Sequence, residues 1–129
     1  MDDAEAIRAL FAAYAAAFYS ADTSAVTTLF TWPATIWQFG EGHVFEDATE
    51  LAANIEALID VLDEAGIGTT TAEVCEVRVA GPSAFAVVTW RQQDPDGEVL
   101  HEFGCQYFLL KQNGAWRIAT VVNEEGEGD

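Results

Sequence analysis

The stretch FYSADTSAVTTLFTWPATI, residues 18–36, contains the signals that decide the fold. A Ser-Ala-Asp sequence ending at Asp22 interrupts an apolar helical pattern, and the Asp22 carboxylate can cap a second helix by accepting hydrogen bonds from unpaired backbone N–H groups. Trp32–Pro33 is expected to end that helix, because the residue before a proline disfavours the α region. The stretch therefore predicts a short helix over residues 23–30 and a strand over residues 34–39.

Two longer helical patterns flank this stretch. Apolar residues recur at helical spacing over residues 2–19 and again over residues 47–66. Asp47 or Thr49 can cap the second pattern, and Gly66 is suited to end it. The sequence predicts a helix in each segment, with one apolar face turned towards a core.

From Thr70 onward the pattern becomes that of β-strands. Val, Phe, Trp, Thr and Tyr are frequent, and Gly-Pro-Ser, Asp-Pro-Asp-Gly and Asn-Gly sequences mark turns between antiparallel strands. Helices followed by hairpin-connected strands predict an α+β fold with helices on one face of a curved antiparallel sheet. The predicted strands cover residues 72–80, 84–93, 98–112 and 115–122.

Length and charge limit the possible functions. The 129 residues predict a single domain over residues 1–129, large enough to bury a core. No apolar run approaches the ~20 residues of a membrane span, which together with the acidic start predicts a cytoplasmic protein without a membrane partner. Twenty-two acidic and five basic residues give a net charge of -17, which predicts repulsion of nucleic acid. Cys75 and Cys105 fall in predicted strands and are expected to be core thiols.

The order of elements resembles the NTF2-like superfamily, in its SnoaL-like branch, over nearly the whole chain. Residues 18–36 resemble that family's helix, Asp cap, short helix and strand, and YFLLKQNGAWRIATV, residues 107–121, resembles its closing hairpin. The resemblance implies a cone-shaped barrel of three N-terminal helices packed on a curved antiparallel sheet, with an apolar pocket inside. It also implies a homodimer through the outer face of the sheet.

The ketosteroid isomerases of this superfamily carry a catalytic tyrosine that falls on Tyr14 here. Their carboxylate base and second acid fall on Gln38 and Gln106, and an amide cannot take a proton from carbon. The isomerase mechanism is therefore not expected, although Tyr14 and Gln106 could bind a carbonyl or a developing oxyanion through hydrogen bonds. The alternative for Tyr14 is a core side chain with a satisfied hydroxyl.

Three ionisable residues are further candidates. His43 could project over the pocket mouth, or it could be an exposed loop histidine. Glu102 faces inward if Gln106 does, because alternate residues of a strand share a face, and burial would raise the pKa of Glu102. Arg91 could bind a substrate carboxylate or pair with Glu102.

Two functional hypotheses follow. The first is a pocket that binds a small apolar molecule bearing a carbonyl or hydroxyl group. If the protein is an enzyme, we expect a cofactor-free isomerase, dehydratase or cyclase step with Glu102 or His43 as base and Tyr14 as oxyanion donor. The second is a non-catalytic dimerisation or association module whose cone is filled by side chains. The predicted pocket wall comprises Phe18, Trp37, Gln38, Arg91, Gln106, Phe108 and Thr120, with no metal or cofactor.

Overall fold

A computed structural model describes residues 2–124 and confirms the α+β class. Its helices and strands account for nearly all of the described chain and follow the predicted alternation of apolar patterns. In chain order they are α1 (Asp3–Tyr19), α2 (Thr23–Thr27), β1 (Phe30–Gln38), β2 (Glu41–Phe45), α3 (Ala48–Glu64), β3 (Thr69–Ala80), β4 (Ser83–Gln93), β5 (Val99–Gln112) and β6 (Ala115–Asn123).

The strands form one six-stranded sheet in the order β2-β1-β6-β5-β4-β3. Strands β3 to β6 are antiparallel neighbours, whereas β1 runs parallel to β6, so the sheet is mixed rather than purely antiparallel. β2 and β3 are the two edges and do not pair with each other, so the sheet is not a closed barrel. The prediction of three N-terminal helices is wrong, because β1 and β2 precede α3 in the chain.

The segment after α2 differs most from the prediction. The helix ends at Thr27 and β1 begins at Phe30, so Trp32–Pro33 lies inside a strand. Register in the β1–β6 ladder shifts between Phe30 and Thr35, and a proline without an N–H is tolerated at such an irregularity. A two-residue turn at Phe39 and Gly40, both with positive φ, then leads into β2, which the sequence did not predict.

Helix α1 covers one face of the sheet, which we call the inner face. Asp2 and Glu5 form a capping box at its start, and its buried stripe packs on the strands. Arg8 Nη1 donates a hydrogen bond of 3.0 Å to the carbonyl of Val74 on β3. Asp3 Oδ1 accepts hydrogen bonds from Lys111 Nζ and Trp116 Nε1, which anchor the helix to the β5–β6 hairpin.

Alternation of side chains sets the inner and outer faces of each strand. Buried residues of β4 alternate regularly from Ala84 to Gln92, and Cys105 and Tyr107 are the matching inner residues of β5. Cys105 is therefore a core thiol as predicted, whereas Cys75 is exposed, in contrast to the prediction. Among residues 2–124, no helix is long and apolar enough to cross a membrane.

Candidate functional site

A cavity of about 870 Å³ lies between the inner face of the sheet, α1 and α3. Its volume falls within the range of roughly 300–1,000 Å³ that is typical of small-molecule sites. Leu58 and Val61, from the exposed side of α3, form part of its wall. The cavity is therefore a concave, mainly apolar surface open to solvent rather than a cone filled by side chains.

Aromatic rings form much of the interior. The Tyr14 ring lies 5.2 Å from Trp90 in an edge-on arrangement and 5.4 Å from Phe18 in a stacked one. Phe103, opposite Trp90 on the neighbouring strand, continues this surface towards the start of β5. These rings present both faces and edges to whatever occupies the cavity.

Tyr14 points its polar end into the cavity. Its side chain is 7% exposed, and none of residues 2–124 forms a hydrogen bond with its hydroxyl. No fully buried side-chain nitrogen or oxygen in this part of the chain lacks a partner, so the Tyr14 hydroxyl must reach the cavity. Burial, the main cause, together with the nearby Cys105, raises the pKa of Tyr14 well above its ordinary value, so the group is a neutral hydroxyl that can donate or accept.

Gln92 is a second polar group without a protein partner. It lies on the inner face of β4, is 9% exposed and forms no side-chain hydrogen bond within the described chain. The strand register places it between Thr70 and His101, so three polar side chains form one row across β3, β4 and β5. All three border the cavity and could bind the polar end of a ligand.

Tyr107 and Cys105 also lie at the cavity, but unlike Tyr14 and Gln92 they form side-chain hydrogen bonds within the protein. The Tyr107 hydroxyl accepts a hydrogen bond of 2.8 Å from Trp90 Nε1. The Cys105 thiol donates to Asn123 Oδ1 at 3.0 Å, and Asn123 Nδ2 donates to the carbonyl of Trp37. Burial raises the pKa of Cys105 to about 11, so the thiol is protonated and a poor nucleophile at neutral pH. These groups support the cavity floor.

None of the five lysine and arginine residues of the sequence lines the cavity. Arg91 lies on the outer face, where Nε is 2.5 Å from Glu102 Oε2 and Nη1 is 2.9 Å from Glu73 Oε1. The hydrogen bonds from Arg91 to Glu73 and Glu102 raise the pKa of the guanidinium. Arg91 therefore forms a surface ion pair with Glu102, which was the second of the two alternatives predicted for it, and its side chain does not enter the cavity.

Several predicted site residues do lie on the cavity wall. Tyr14, Phe18 and Gln38 border it, and their roles stay predictions. Glu102 also lies along its border, but its carboxylate is turned to the outer face and bound to Arg91. Glu102 is exposed rather than buried, so the expectation of a buried, inward-facing carboxylate is wrong.

The other predicted residues lie elsewhere. Gln106, Phe108 and Thr120 are on the outer face of the sheet, where Phe108 packs against Phe85 and Gln106 donates to Glu124. Trp37 is also exposed there, and its indole lies over Gly42, where a Cβ atom would be only 2.7 Å from Trp37 Cε2. His43 is exposed on β2 and does not line the cavity.

His101 and Phe103 were not predicted as site residues because alternate residues of β5 were placed on the wrong face, and Gln92 was not predicted because nothing near it in the sequence indicated which way that residue of β4 faces. The expectation that Glu102 and Gln106 face inward places His101, Phe103 and Tyr107 on the outer face, but all three border the cavity. The buried thiol of Cys105 was the available signal. Had Cys105 been used to orient the strand, His101, Phe103 and Tyr107 would have been placed inside with it.

Comparison with known proteins supports the fold. A family model described as NTF2-like protein (DUF6841) matches residues 3–126. A cystatin-like domain of unknown function from Nostoc punctiforme is similar at 24% identity and a TM-score of 0.80, over 98% of this chain and 78% of that chain. An NTF2-like protein of unknown function from Shewanella oneidensis is similar at 13% identity and a TM-score of 0.79, over 96% of this chain and 100% of that one.

A ketosteroid isomerase-like protein from Erwinia carotovora atroseptica is a further structural neighbour. It is 22% identical with a TM-score of 0.65, over 95% of this chain and 96% of that chain. Identities this low establish a common fold and leave activity open. A comparison with curated proteins found no match.

Proposed function

The chain belongs to the NTF2-like protein family DUF6841, and we propose that its cavity binds a small, mainly apolar molecule with at least one hydrogen-bonding group. The observation that carries this proposal is the pair of buried side chains, Tyr14 and Gln92, that have no hydrogen-bond partner in the described chain and border one cavity. The polar ends of these two side chains reach the cavity instead of being sealed in the core, so a ligand that displaces water there can form hydrogen bonds with them. Membership of the SnoaL-like branch stays a prediction.

The proposed orientation follows from the position of these groups. A carbonyl or hydroxyl on the ligand would accept a hydrogen bond from Tyr14, while the aromatic walls contact the apolar body. Gln92, Thr70 and His101 would bind polar groups near the start of β5. We infer a binding protein rather than a specific enzyme, because neither of the bases expected from the sequence directs its side chain into the cavity.

Ligand screening by thermal shift tests this function. We would use camphor, fluorenone and dehydroabietinol, which are uncharged and differ in size. A ligand at about 100 times its dissociation constant adds about 2.7 kcal/mol to the stability of the folded state, which shifts the unfolding midpoint by several degrees. In the Tyr14→Phe variant we expect about five- to tenfold weaker binding of the ketones.

The matched control for Tyr14→Phe is Tyr19→Phe, which removes a hydroxyl from an exposed tyrosine near the end of the same helix. Unchanged affinity in both variants would contradict the role of Tyr14. An absence of any shift with all three compounds would contradict the proposed function itself.

A second proposal concerns the outer face, where an apolar surface is exposed to solvent. The rings of Phe85 and Phe108 lie 5.1 Å apart, and Phe108 is 47% exposed. Exposed apolar patches of this kind mark protein interfaces. We propose that this face forms the contact of a homodimer, which would leave the cavity on the inner face of each subunit available.

A further inference from the structure

We propose that Phe39 is a ligand-contacting residue of the cavity, whose ring covers the apolar part of a bulky ligand at the mouth. This inference rests on the proposed ligand-binding function and adds the size class of the ligand and a residue that selects for it. Three observations support it: the backbone conformation of Phe39, the absence of a structural use for its ring, and the apolar mouth of the cavity.

The first observation is the conformation of the turn between β1 and β2. Phe39 and Gly40 are its two central residues and have φ values of 54° and 75°, as in a type I′ turn. Asn-Gly, Asp-Gly and Gly-Gly are the preferred sequences of such turns, because bulky side chains are disfavoured in the left-handed region. A phenylalanine at the first position therefore costs stability, and an asparagine would reduce that cost.

The second observation is that the fold makes no use of the Phe39 ring. The residue is 76% exposed and belongs neither to the buried core nor to the apolar side chains packed against it. It also forms no ring contact with another aromatic side chain in residues 2–124. Hydrophobic packing thus does not offset the cost of its backbone conformation. Residues in strained conformations cluster at ligand-binding and catalytic sites, which favours a functional reason for this phenylalanine.

The third observation is the mouth of the cavity. Phe39 borders the cavity together with Leu58 and Val61 of α3, and all three residues are exposed. A residue that is exposed and also lines a cavity lies where that cavity meets solvent. These side chains therefore form an apolar rim, whereas Tyr14 and Gln92 are buried in the interior. A ligand whose polar group binds inside would leave its apolar end at this rim.

The rim and the cavity volume together indicate a bulky ligand. The volume of about 870 Å³ is near the upper end of the usual range for small-molecule sites. A compact molecule can bind at Tyr14 without reaching the turn between β1 and β2. A larger one extends to the rim, where it removes the ring of Phe39 from water and gains hydrophobic affinity. The contribution of Phe39 to binding should consequently increase with the size of the ligand.

The variant Phe39→Asn tests the proposal because its two expected effects have opposite signs. Asparagine suits the left-handed position, so the unfolding midpoint of the ligand-free protein should rise by about 2–4 °C. Loss of the ring should weaken the binding of dehydroabietinol about fivefold and leave that of camphor, the smaller compound, within about twofold of wild type. Thermal scans measure the first effect, and calorimetric titration of both compounds measures the second.

Two further variants serve as controls. Ala21→Asn places an asparagine at another exposed residue with positive φ, outside the cavity, so it should raise the midpoint and leave both affinities unchanged. Phe39→Tyr keeps an aromatic ring in the turn, so it should bind dehydroabietinol within about twofold of wild type without a gain in stability. Equal weakening of both ligands by Phe39→Asn, or weakening of neither, would overturn the assignment. A midpoint that falls in Phe39→Asn would also overturn it, because the ring would then stabilise the fold.

The outcomes separate this inference from the function on which it rests. If camphor or fluorenone binds to the wild-type protein and dehydroabietinol does not, the proposed size class is wrong while the ligand-binding cavity stands. If Phe39→Asn changes the mass measured by light scattering and leaves the affinities unchanged, Phe39 belongs to a subunit contact and its proposed role is wrong. If none of the three compounds binds, both proposals are wrong.

Discussion

Tyr14 and Tyr107 show how one residue type takes two roles within a single core. Their ring centres are 6.5 Å apart and both side chains are buried. The Tyr107 hydroxyl satisfies the Trp90 indole N–H, whereas the Tyr14 hydroxyl has no partner in residues 2–124 and borders the cavity. The first hydroxyl is therefore required by the protein, and the second is available to a ligand.

The variants Tyr107→Phe and Tyr14→Phe should consequently differ in stability. Tyr107→Phe leaves the buried Trp90 N–H without an acceptor, which we expect to lower the free energy of unfolding by about 1–3 kcal/mol. Tyr14→Phe breaks no hydrogen bond within the described chain and should change it by less than about 0.5 kcal/mol. Denaturant unfolding, extrapolated to water, measures both values. A comparable loss in the two variants would contradict the different roles assigned to the hydroxyls.

Gln92 and His101 show why part of the site could not be predicted from the sequence. Gln92 and His101 have no motif around them, and their function as cavity residues depends on the pairing of β4 with β5. Tyr14 could be singled out because it lies on an otherwise apolar helical stripe. A polar residue in a strand reveals its face only when the orientation of that strand is known.

At the scale of elements, long regular patterns were predictable and irregular ones were not. Helices α1 and α3 and the four strands of the C-terminal half carry clear periodicity and strong turn sequences. β6 has a register shift between Ile118 and Thr120, so the inner residues change from Ile118 to Val121 and simple alternation places Thr120 on the wrong face. The predicted start of β1 was wrong and β2 was not predicted, because α2 ends at Thr27 instead of continuing to residue 30.

The contact between α1 and the β5–β6 hairpin should respond to acid. Hydrogen bonds from Lys111 and then from Trp116 hold the pKa of Asp3 below its ordinary value of 3.8. Because the pKa is lower in the folded state than in the unfolded chain, this stabilisation is complete above about pH 4 and is lost as the pH falls through the folded-state value. We expect Asp3→Ala to lower the thermal midpoint at neutral pH, with a difference from wild type that shrinks below about pH 4.

Asp60→Asn is the control for this pH dependence, since it removes an exposed acid of α3 that has no hydrogen bond in the described chain. Protonation of the many other acids also reduces their mutual repulsion as the pH falls, but this effect on stability is nearly the same in wild type and variant. A difference between wild type and Asp3→Ala that stays constant across the acidic range would show that the Asp3 carboxylate is not the stabilising group.

For the molecule as a whole, the proposed homodimer gives a measurable expectation. Light scattering of the wild-type protein should give a mass of about twice the 14.0 kDa of the chain. Phe108→Glu places a charge in the exposed outer face and should shift the mass to that of a monomer. Ala12→Glu adds the same charge on an exposed position of α1, away from that face, and should leave the dimer intact. A wild-type monomer would contradict the proposed interface.

The fold of the whole molecule could be inferred from short signals because hydrophobic periodicity and turn chemistry are local. The cavity could not, since its wall combines residues from α1, α3 and five strands whose relative positions depend on sheet order. In particular, the parallel pairing of β1 with β6 brings Ile36 and Asn123 to the same wall although they are far apart in the chain.

The position of Trp90 gives the protein an intrinsic optical reporter. Of the four tryptophans, Trp90 lines the main cavity, while Trp32 and Trp37 are exposed to solvent and Trp116 is bonded to Asp3 at the far end of α1. Emission from a buried indole occurs at shorter wavelength than emission from a solvated one, so Trp90 and the similarly buried Trp116 can be resolved from the exposed pair, and of these two buried indoles Trp90 is the one that lines the cavity. Occupancy of the cavity should therefore be readable in the fluorescence spectrum of the unlabelled protein.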